Sequence, residues 1–211
     1  NPFDGVNVGF VSNPSFVDVD GDGDMDAFIG EVGGTIKFYQ NTGNVTAATF
    51  TEVTGASNPF NGEDVGEKST PSFVDVDGDG DMDAFIGEKT GNINFYQNTG
   101  TAIAAVFSEV TGASNPFNGV IVGYDSTPSF VDIDGDGDMD AFIGESYGRI
   151  KFFQNTGSVT AATFTEVTGP SNPFNGVDVG ESAAPSFVDV DGDGDMDAFI
   201  GEENGNINFY Q

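Results

Sequence analysis

Asp18-Val19-Asp20-Gly21-Asp22-Gly23-Asp24-Met25-Asp26 decides how this chain is read. The same nine residues recur at 75–83 and 189–197, and once more at 132–140 with Ile133 in place of Val. The interval is 57 residues each time, without insertion or deletion. Five carboxylates in nine residues cannot all stay ionised at close quarters unless a cation lies among them. A fixed period of this length marks one structural unit copied four times. The chain therefore reads first as a repeat protein with one divalent cation per repeat.

Side-chain oxygens fall at loop positions 1, 3, 5 and 9, which are Asp18, Asp20, Asp22 and Asp26. Gly23 at position 6 allows the reversal that wraps them around one ion, and Asp24 at position 7 is expected to supply its backbone carbonyl. The equivalent candidates are Asp75, Asp77, Asp79, Asp81 and Asp83; Asp132, Asp134, Asp136, Asp138 and Asp140; and Asp189, Asp191, Asp193, Asp195 and Asp197. The first seven positions follow the logic of helix–loop–helix calcium loops. Position 12 departs from it, because Ile29 stands where those loops place a bidentate Glu. The flanks are also of strand type, so the loop belongs in a β-hairpin with Asp26 closing the site. All-oxygen ligation selects hard cations, and so many flexible carboxylates favour Ca2+ over Mg2+. About four calcium ions are expected. Met25 is expected to act as an apolar plug beneath the loop.

Cutting at Asn-Pro-Phe divides a single repeat domain, 1–211, into repeats 1–57, 58–114, 115–171 and an incomplete 172–211. In the second repeat, Pro71-Ser-Phe-Val-Asp-Val reads as a strand with Pro at its start, where no ladder donor is lost. Ala84-Phe-Ile-Gly-Glu, Ile93-Asn-Phe-Tyr-Gln and Val106-Phe-Ser-Glu-Val follow as strands, separated by Gly-rich turns. Four short strands without helical periodicity make an antiparallel meander. Strands apolar on both faces must be sandwiched between neighbouring sheets, as propeller blades are. The fold class expected is all-β and propeller-like, each repeat a four-stranded blade and the last lacking its fourth strand. A compact four-bladed ring leads the expectations, with a larger ring or an open array as alternatives. A β-solenoid is the structural rival, and its rungs are shorter.

The string Phe73-Val-Asp-Val-Asp-Gly-Asp-Gly-Asp-Met-Asp-Ala-Phe-Ile-Gly-Glu88, followed by Gly91-x-Ile-x-Phe-Tyr-Gln-Asn-Thr-Gly100, resembles the FG-GAP/VCBS repeats. These are similar to the calcium-binding blades of integrin α-subunit propellers. The resemblance covers essentially the whole chain. It implies a β-propeller with calcium in the hairpin between strands one and two of each blade, and extracellular adhesion or binding.

Composition narrows the function classes. The chain of 211 residues carries 35 Asp plus Glu against five Lys plus Arg, a formal charge of −30. Such a surface argues against nucleic acid and anionic membrane as partners. With 21 Phe there is enough apolar material to exclude disorder. There is no Cys or His, so thiolate metal sites, disulfides and the usual nucleophile–base pairs are excluded. Glu31, Glu88, Glu145 and Glu202 recur in equivalent settings, whereas paired catalytic carboxylates need different ones. The expectation is a protein that is not an enzyme. No stretch approaches the ~18 apolar residues of a membrane span. Asn1 in place of Met reads as the start of a processed product or an excerpt. Calcium sites of modest affinity suit the calcium-rich extracellular space, so a secreted or cell-surface location is expected.

The repeats differ mainly in two places. Residues 32–37 read Val-Gly-Gly-Thr-Ile-Lys in the first unit and Ser-Tyr-Gly-Arg-Ile-Lys in the third. In the linker, Asn7, Phe10 and Val11 become Asp64, Glu67 and Lys68. Both places should lie opposite the Asp loops, making a candidate partner face with Tyr124, Tyr147 and Arg149. An open edge at Asn206–Gln211 invites other protein chains, including a second copy, as in a fibre or surface structure. The leading function is a non-catalytic structural or adhesion propeller. A calcium-dependent glycan-binding lectin and an accessory domain of a larger secreted enzyme are the alternatives. Asn44-Val45-Thr46 is one N-glycosylation sequon.

Overall fold

The computed structural model describes residues 1–211 and consists of four antiparallel sheets. Blade 1 contains β1 (Asn13–Val17), β2 (Asp26–Gly30), β3 (Ile36–Asn41) and β4 (Phe50–Val53). Blade 2 contains β5 (Thr70–Val74), β6 (Asp83–Gly87), β7 (Ile93–Asn98) and β8 (Phe107–Val110). Blade 3 contains β9 (Thr127–Val131), β10 (Asp140–Gly144), β11 (Ile150–Asn155) and β12 (Phe164–Val167). Blade 4 has three strands, β13 (Ala184–Val188), β14 (Asp197–Gly201) and β15 (Ile207–Tyr210). Strand order follows the sequence within each blade. The four blades are arranged as a β-propeller, as the repeat pattern predicted. No helix of the structure is long and apolar enough to cross a membrane.

The first strands are innermost, with β1 against β5, β5 against β9 and β9 against β13. Pro71 sits in such an edge strand, opposite Ile86, where its missing N–H costs no central ladder bond. The second strands are the filling of the sandwich. Every residue of β6 is buried, and its side chains alternate between two cores. Ala84 and Ile86 face blade 1 and join Phe28, Phe38 and Val17. Phe85 faces blade 3 and joins Phe95, Ala141, Ile143 and Phe153. Across the sheet Phe85 stacks on Phe95 at 4.6 Å, and Phe28 on Phe38 at 4.5 Å. A double-sided strand therefore carries no polar face to show to water.

The linker between blades ties them together. A 3-10 turn at Gly55–Ser57 leads to Asn58, whose Oδ1 accepts from Phe60 N at 2.9 Å. Asn58 Nδ2 then donates to Ile36 O of the preceding blade at 3.1 Å. This turn drives Phe60 into the core between blades, edge-on to Phe28 at 5.8 Å. Asn115 with Phe117 and Asn172 with Phe174 repeat the device at the next two joints.

Each joint has its own core, and no core cluster unites blade 4 with blade 1. Blade 1 has a small separate core of Ala27, Ile29 and Tyr39 under Phe3, Val8 and Phe50. The three shared cores join blade 1 to blade 2, blade 2 to blade 3 and blade 3 to blade 4.

Candidate metal centre

Each Asp loop joins the first strand of a blade to the second. Its path depends on two glycines with positive φ, Gly21 (73°) and Gly23 (91°) in the first loop, a region that side-chain-bearing residues rarely enter. The carboxylates turn inward by accepting the loop's own N–H groups. Asp18 Oδ1 accepts from Gly21 N at 2.7 Å and its Oδ2 from Gly23 N at 3.0 Å. Asp20 Oδ1 accepts from Asp22 N at 3.3 Å, and Asp22 Oδ1 from Asp24 N at 3.0 Å. The same ladder recurs in the loops at 75–83, 132–140 and 189–197.

This folding brings carboxylate oxygens of Asp18, Asp20 and Asp22 within 4.8 Å of one another. Asp75, Asp77 and Asp79 do the same, as do Asp132, Asp134 and Asp136. In blade 4 the trio is Asp189, Asp191 and Asp197. Positions 1, 3 and 5 thus gather in the first three loops, and positions 1, 3 and 9 in the last. Asp193 and Asp195 lie on the same loop but are exposed.

Position 9 has a second task. Asp26 is buried, and its Oδ1 accepts from Asn41 N at 2.7 Å, locking the loop to the end of β3. Asp83 accepts from Asn98 N at 2.8 Å and Asp140 from Asn155 N at 2.7 Å. Burial, opposed by those backbone hydrogen bonds and helped by the neighbouring Asp charges, raises Asp26 to about 6, Asp83 to about 7 and Asp140 to about 6. Position 7 is buried as well in the first three loops, at Asp24, Asp81 and Asp138. Burial and then the charges of their loop partners hold all three above the usual carboxylate range.

A cation fits this donor set on three observations. Asp24, Asp81 and Asp138 each keep a buried Oδ1 without a hydrogen-bond partner. Asp83 and Asp140 each keep a buried Oδ2 in the same condition. Finally, the ion pairs of the structure, Lys37–Glu52, Lys68–Asp125, Lys89–Glu67 and Lys151–Glu166, leave every loop Asp without a basic partner. Buried acceptors of one sign need either protons or a cation.

Two elements of the site escaped sequence reasoning. Gln40 Nε2 donates to Asp20 Oδ2 at 2.7 Å, and Gln97, Gln154 and Gln211 repeat the contact on Asp77, Asp134 and Asp191. The unbroken recurrence of Gln at this place in all four repeats was the available signal. The second is the set Glu31, Glu88, Glu145 and Glu202, which clamp the turn between strands two and three, Glu88 accepting from Thr90 N at 2.7 Å and Asn92 N at 3.1 Å. The Met plug is a correction, because Met25, Met82, Met139 and Met196 are all exposed. The loop is fastened by Asp26 and Gln40, so no apolar plug is needed.

The variable turn and linker do lie together, opposite the Asp loops. Val32 N donates to Phe10 O at 2.9 Å, and Lys68 N to Val32 O at 3.2 Å. Tyr124 and Tyr147 are exposed there, and Tyr147 and Arg149 line an open cleft with Lys151, Glu166 and Asp178. The loops meet a different neighbour. A Cβ on Gly21 would fall 2.2 Å from Ile103 Cγ2, in the turn between strands three and four of the next blade.

Comparison with curated proteins finds no match. The family model for the FG-GAP-like repeat matches residues 18–86, 75–143 and 132–200. Each match runs from one Asp loop through the second strand of the following blade, which is the loop-and-joint unit described above. The chain belongs to the FG-GAP-like repeat family.

Proposed function

We propose that this chain is a non-catalytic, extracellular calcium-binding propeller that serves as a structural or adhesive module. The observation that carries the reading is the set of buried, unpartnered carboxylate oxygens on Asp24, Asp81, Asp83, Asp138 and Asp140, with no Lys or Arg paired to any loop. Oxygen-only donors from carboxylates suit a hard divalent ion. Loops of this flexibility favour Ca2+, which accepts six to eight oxygens, over Mg2+, which demands a tight octahedron. The membership in a repeat family that often holds calcium supports the same ion.

Extracellular placement follows from the supply of the ion. Sites built from one short surface loop suit the calcium concentrations outside cells. The acidic surface also stays soluble and repels anionic partners there. Fixing four sheets into a rigid array is a scaffold's task, and the residues gathered at the loops are ligands without a nucleophile or a tuned acid–base pair among them.

Titration of the metal-free chain with CaCl2 by calorimetry tests the proposal. The expected stoichiometry is close to four ions per chain, with Mg2+ binding far more weakly. Fewer than one calcium per chain, or equal affinity for both ions, would defeat it.

A further inference from the structure

We propose that the cleft beside Tyr147 and Arg149, on the face opposite the Asp loops, binds a saccharide through a single carboxylate, as a uronic acid residue presents it. The inference rests on the reading of the chain as an adhesive module and gives that module a ligand class. It uses none of the loop carboxylates, so either can fail alone.

The first observation is a charge without a partner. The chain has four Lys and one Arg among 35 acidic residues. Every Lys is ion-paired, Lys37 with Glu52, Lys68 with Asp125, Lys89 with Glu67 and Lys151 with Glu166. Arg149 is in no ion pair, although the chain carries a formal charge of −30. The acids around it are already committed. Glu145 is buried and accepts from Tyr147 N at 3.0 Å and from Arg149 N at 3.2 Å. Glu166 faces Lys151 at 3.4 Å, and Asp178 accepts from Gly180 N at 3.1 Å. The guanidinium is therefore the charged group left over, and its planar fork matches a carboxylate with two parallel N–H bonds.

The second observation is the setting. Tyr147, Arg149 and Lys151 are spaced by two residues where the turn runs into β11, and all three line one open cleft of about 670 Å3. Gly148 and Ile150 between them are buried. Tyr147 is 63% exposed. The face of an aromatic ring is negative and attracts the weakly positive C–H groups of a ring laid on it. A pyranose offers such a C–H face, with hydroxyls around its edge for the exposed amide of Asn175 in the same cleft. A bare carboxylate or an acidic peptide would occupy Arg149 and leave Tyr147 unused.

The sister joints show what is particular to this one. The equivalent cleft after blade 1, of about 400 Å3, has Gly33 and Thr35 at the places of Tyr147 and Arg149, while Lys37, Asn61 and Asp64 match Lys151, Asn175 and Asp178. After blade 2 the three leading positions are Thr90, Asn92 and Asn94. The cleft is thus a general product of the joint, and the Tyr–Arg pair occurs once. All of its lining belongs to the four-stranded blade 3 or to the linkers on either side of that blade. The overall charge adds a restriction. It repels polyanions, whereas one carboxylate seated on a guanidinium is shielded from charges beyond about 8 Å at physiological salt. The ligand should therefore carry one acidic residue among neutral sugars.

Calorimetric titration at saturating calcium tests the inference with a trisaccharide of two neutral sugars and a terminal glucuronate, and with its counterpart ending in glucose. The glucuronate form should bind at one site per chain and about tenfold more tightly than the glucose form. Arg149→Gln should abolish that preference, and Tyr147→Ala should weaken both forms. Both side chains are exposed, and near-ultraviolet circular dichroism checks that each variant folds. Gly33→Tyr combined with Thr35→Arg moves the pair to the cleft after blade 1 and should add a second site. No binding of either trisaccharide, equal affinity for the two, an Arg149→Gln variant that keeps the preference, or an acidic tripeptide that binds as tightly as the glucuronate form would overturn the inference. So would a folded transplant variant that still binds at one site. Glucuronate binding by a chain that takes up no calcium would leave it standing and defeat the cation assignment instead.

Discussion

Removing calcium should lower the melting midpoint of this chain by ~25 °C, from the following magnitudes. A ligand held at 100 times its dissociation constant stabilises the folded state by about 2.7 kcal/mol, so four such sites supply roughly 11 kcal/mol. Unfolding entropy of about 2.1 cal/mol/K per residue gives ~0.44 kcal/mol/K for a chain of this length, and the quotient of the two is the shift. The structure says why the ion-free state suffers. Each loop holds five Asp, three of them with oxygens within 4.8 Å, and none paired with a basic side chain. Residual binding by the Asp-rich unfolded chain makes this shift an upper value. The assay is a circular dichroism melt in calcium and in excess chelator, with NaCl added to match ionic strength and Mg2+ as a second control. Blade 4, cored on one side only, should melt first, since repeat arrays unfold by nearest-neighbour interfaces. A shift under about 5 °C, or full replacement of calcium by NaCl, would refute the reasoning, because screening would then account for the carboxylate clusters.

Gly91→Ala should cost ~3 kcal/mol in a urea titration, because its Cβ would fall 1.8 Å from Gly123 O at φ +87°. Gly205→Ala, at φ +85° with open space around it, should cost only about 1 kcal/mol. Glu88→Ala strips the acceptor from Thr90 N and Asn92 N in a buried turn and should cost roughly 1–3 kcal/mol, more than Glu202→Ala in the exposed copy, measured the same way. Without calcium, stability should fall as pH rises from about 4 to 7. Asp26, Asp83 and Asp140 sit near 6, 7 and 6 when folded against 3.8 otherwise, so the folded chain holds the extra protons in that window. Saturating calcium should reverse the trend, since protons compete for the same oxygens, and paired melts at about pH 5 and about pH 7.5 will show it. A calcium titration followed by calorimetry should resolve two classes of site, two tighter and two weaker, and four identical sites would contradict that expectation.

What could be read from the sequence was whatever depends on local period. The recurrence at 57 residues marked the blades, and the two-sided apolarity of Ala84-Phe85-Ile86 marked a strand buried between sheets. The strand starts shifted by a residue, Thr70 in place of Pro71 and Asp83 in place of Ala84, because pairing partners set the ends of strands. The Asp loop was readable because each of its ligands is close in sequence. Gln40 and Asn41 were missed because they reach the loop from β3, across the sheet, 20 residues from Asp20 and 15 from Asp26. Met25 was misjudged because apolar character says nothing about which way a loop side chain points. Ring closure was not readable either. It depends on the angle added at each joint, which the packing of Phe28 with Phe60 and Phe73 sets and no spacing encodes.

Loops with the same carboxylates do not make identical sites, since rigidity around a calcium loop tunes its affinity. Gly21 in the first loop lies against Ala102 and Ile103, and Gly78 in the second against Val159 and Thr160. In both cases the support comes from the turn between strands three and four of the next blade. Gly135 and Gly192, at the same position in the third and fourth loops, have nothing within 4 Å, and the three-stranded blade 4 offers the third loop no such turn. Exposure follows suit, with Ile133 at 37% beside 9% for Val19 and 7% for Val76. Loops 1 and 2 are therefore held in shape before an ion arrives, and loops 3 and 4 must be ordered by it, which costs affinity. The same geometry couples the ion to the joint, because a loop made rigid by its cation offers the next blade's turn a fixed surface.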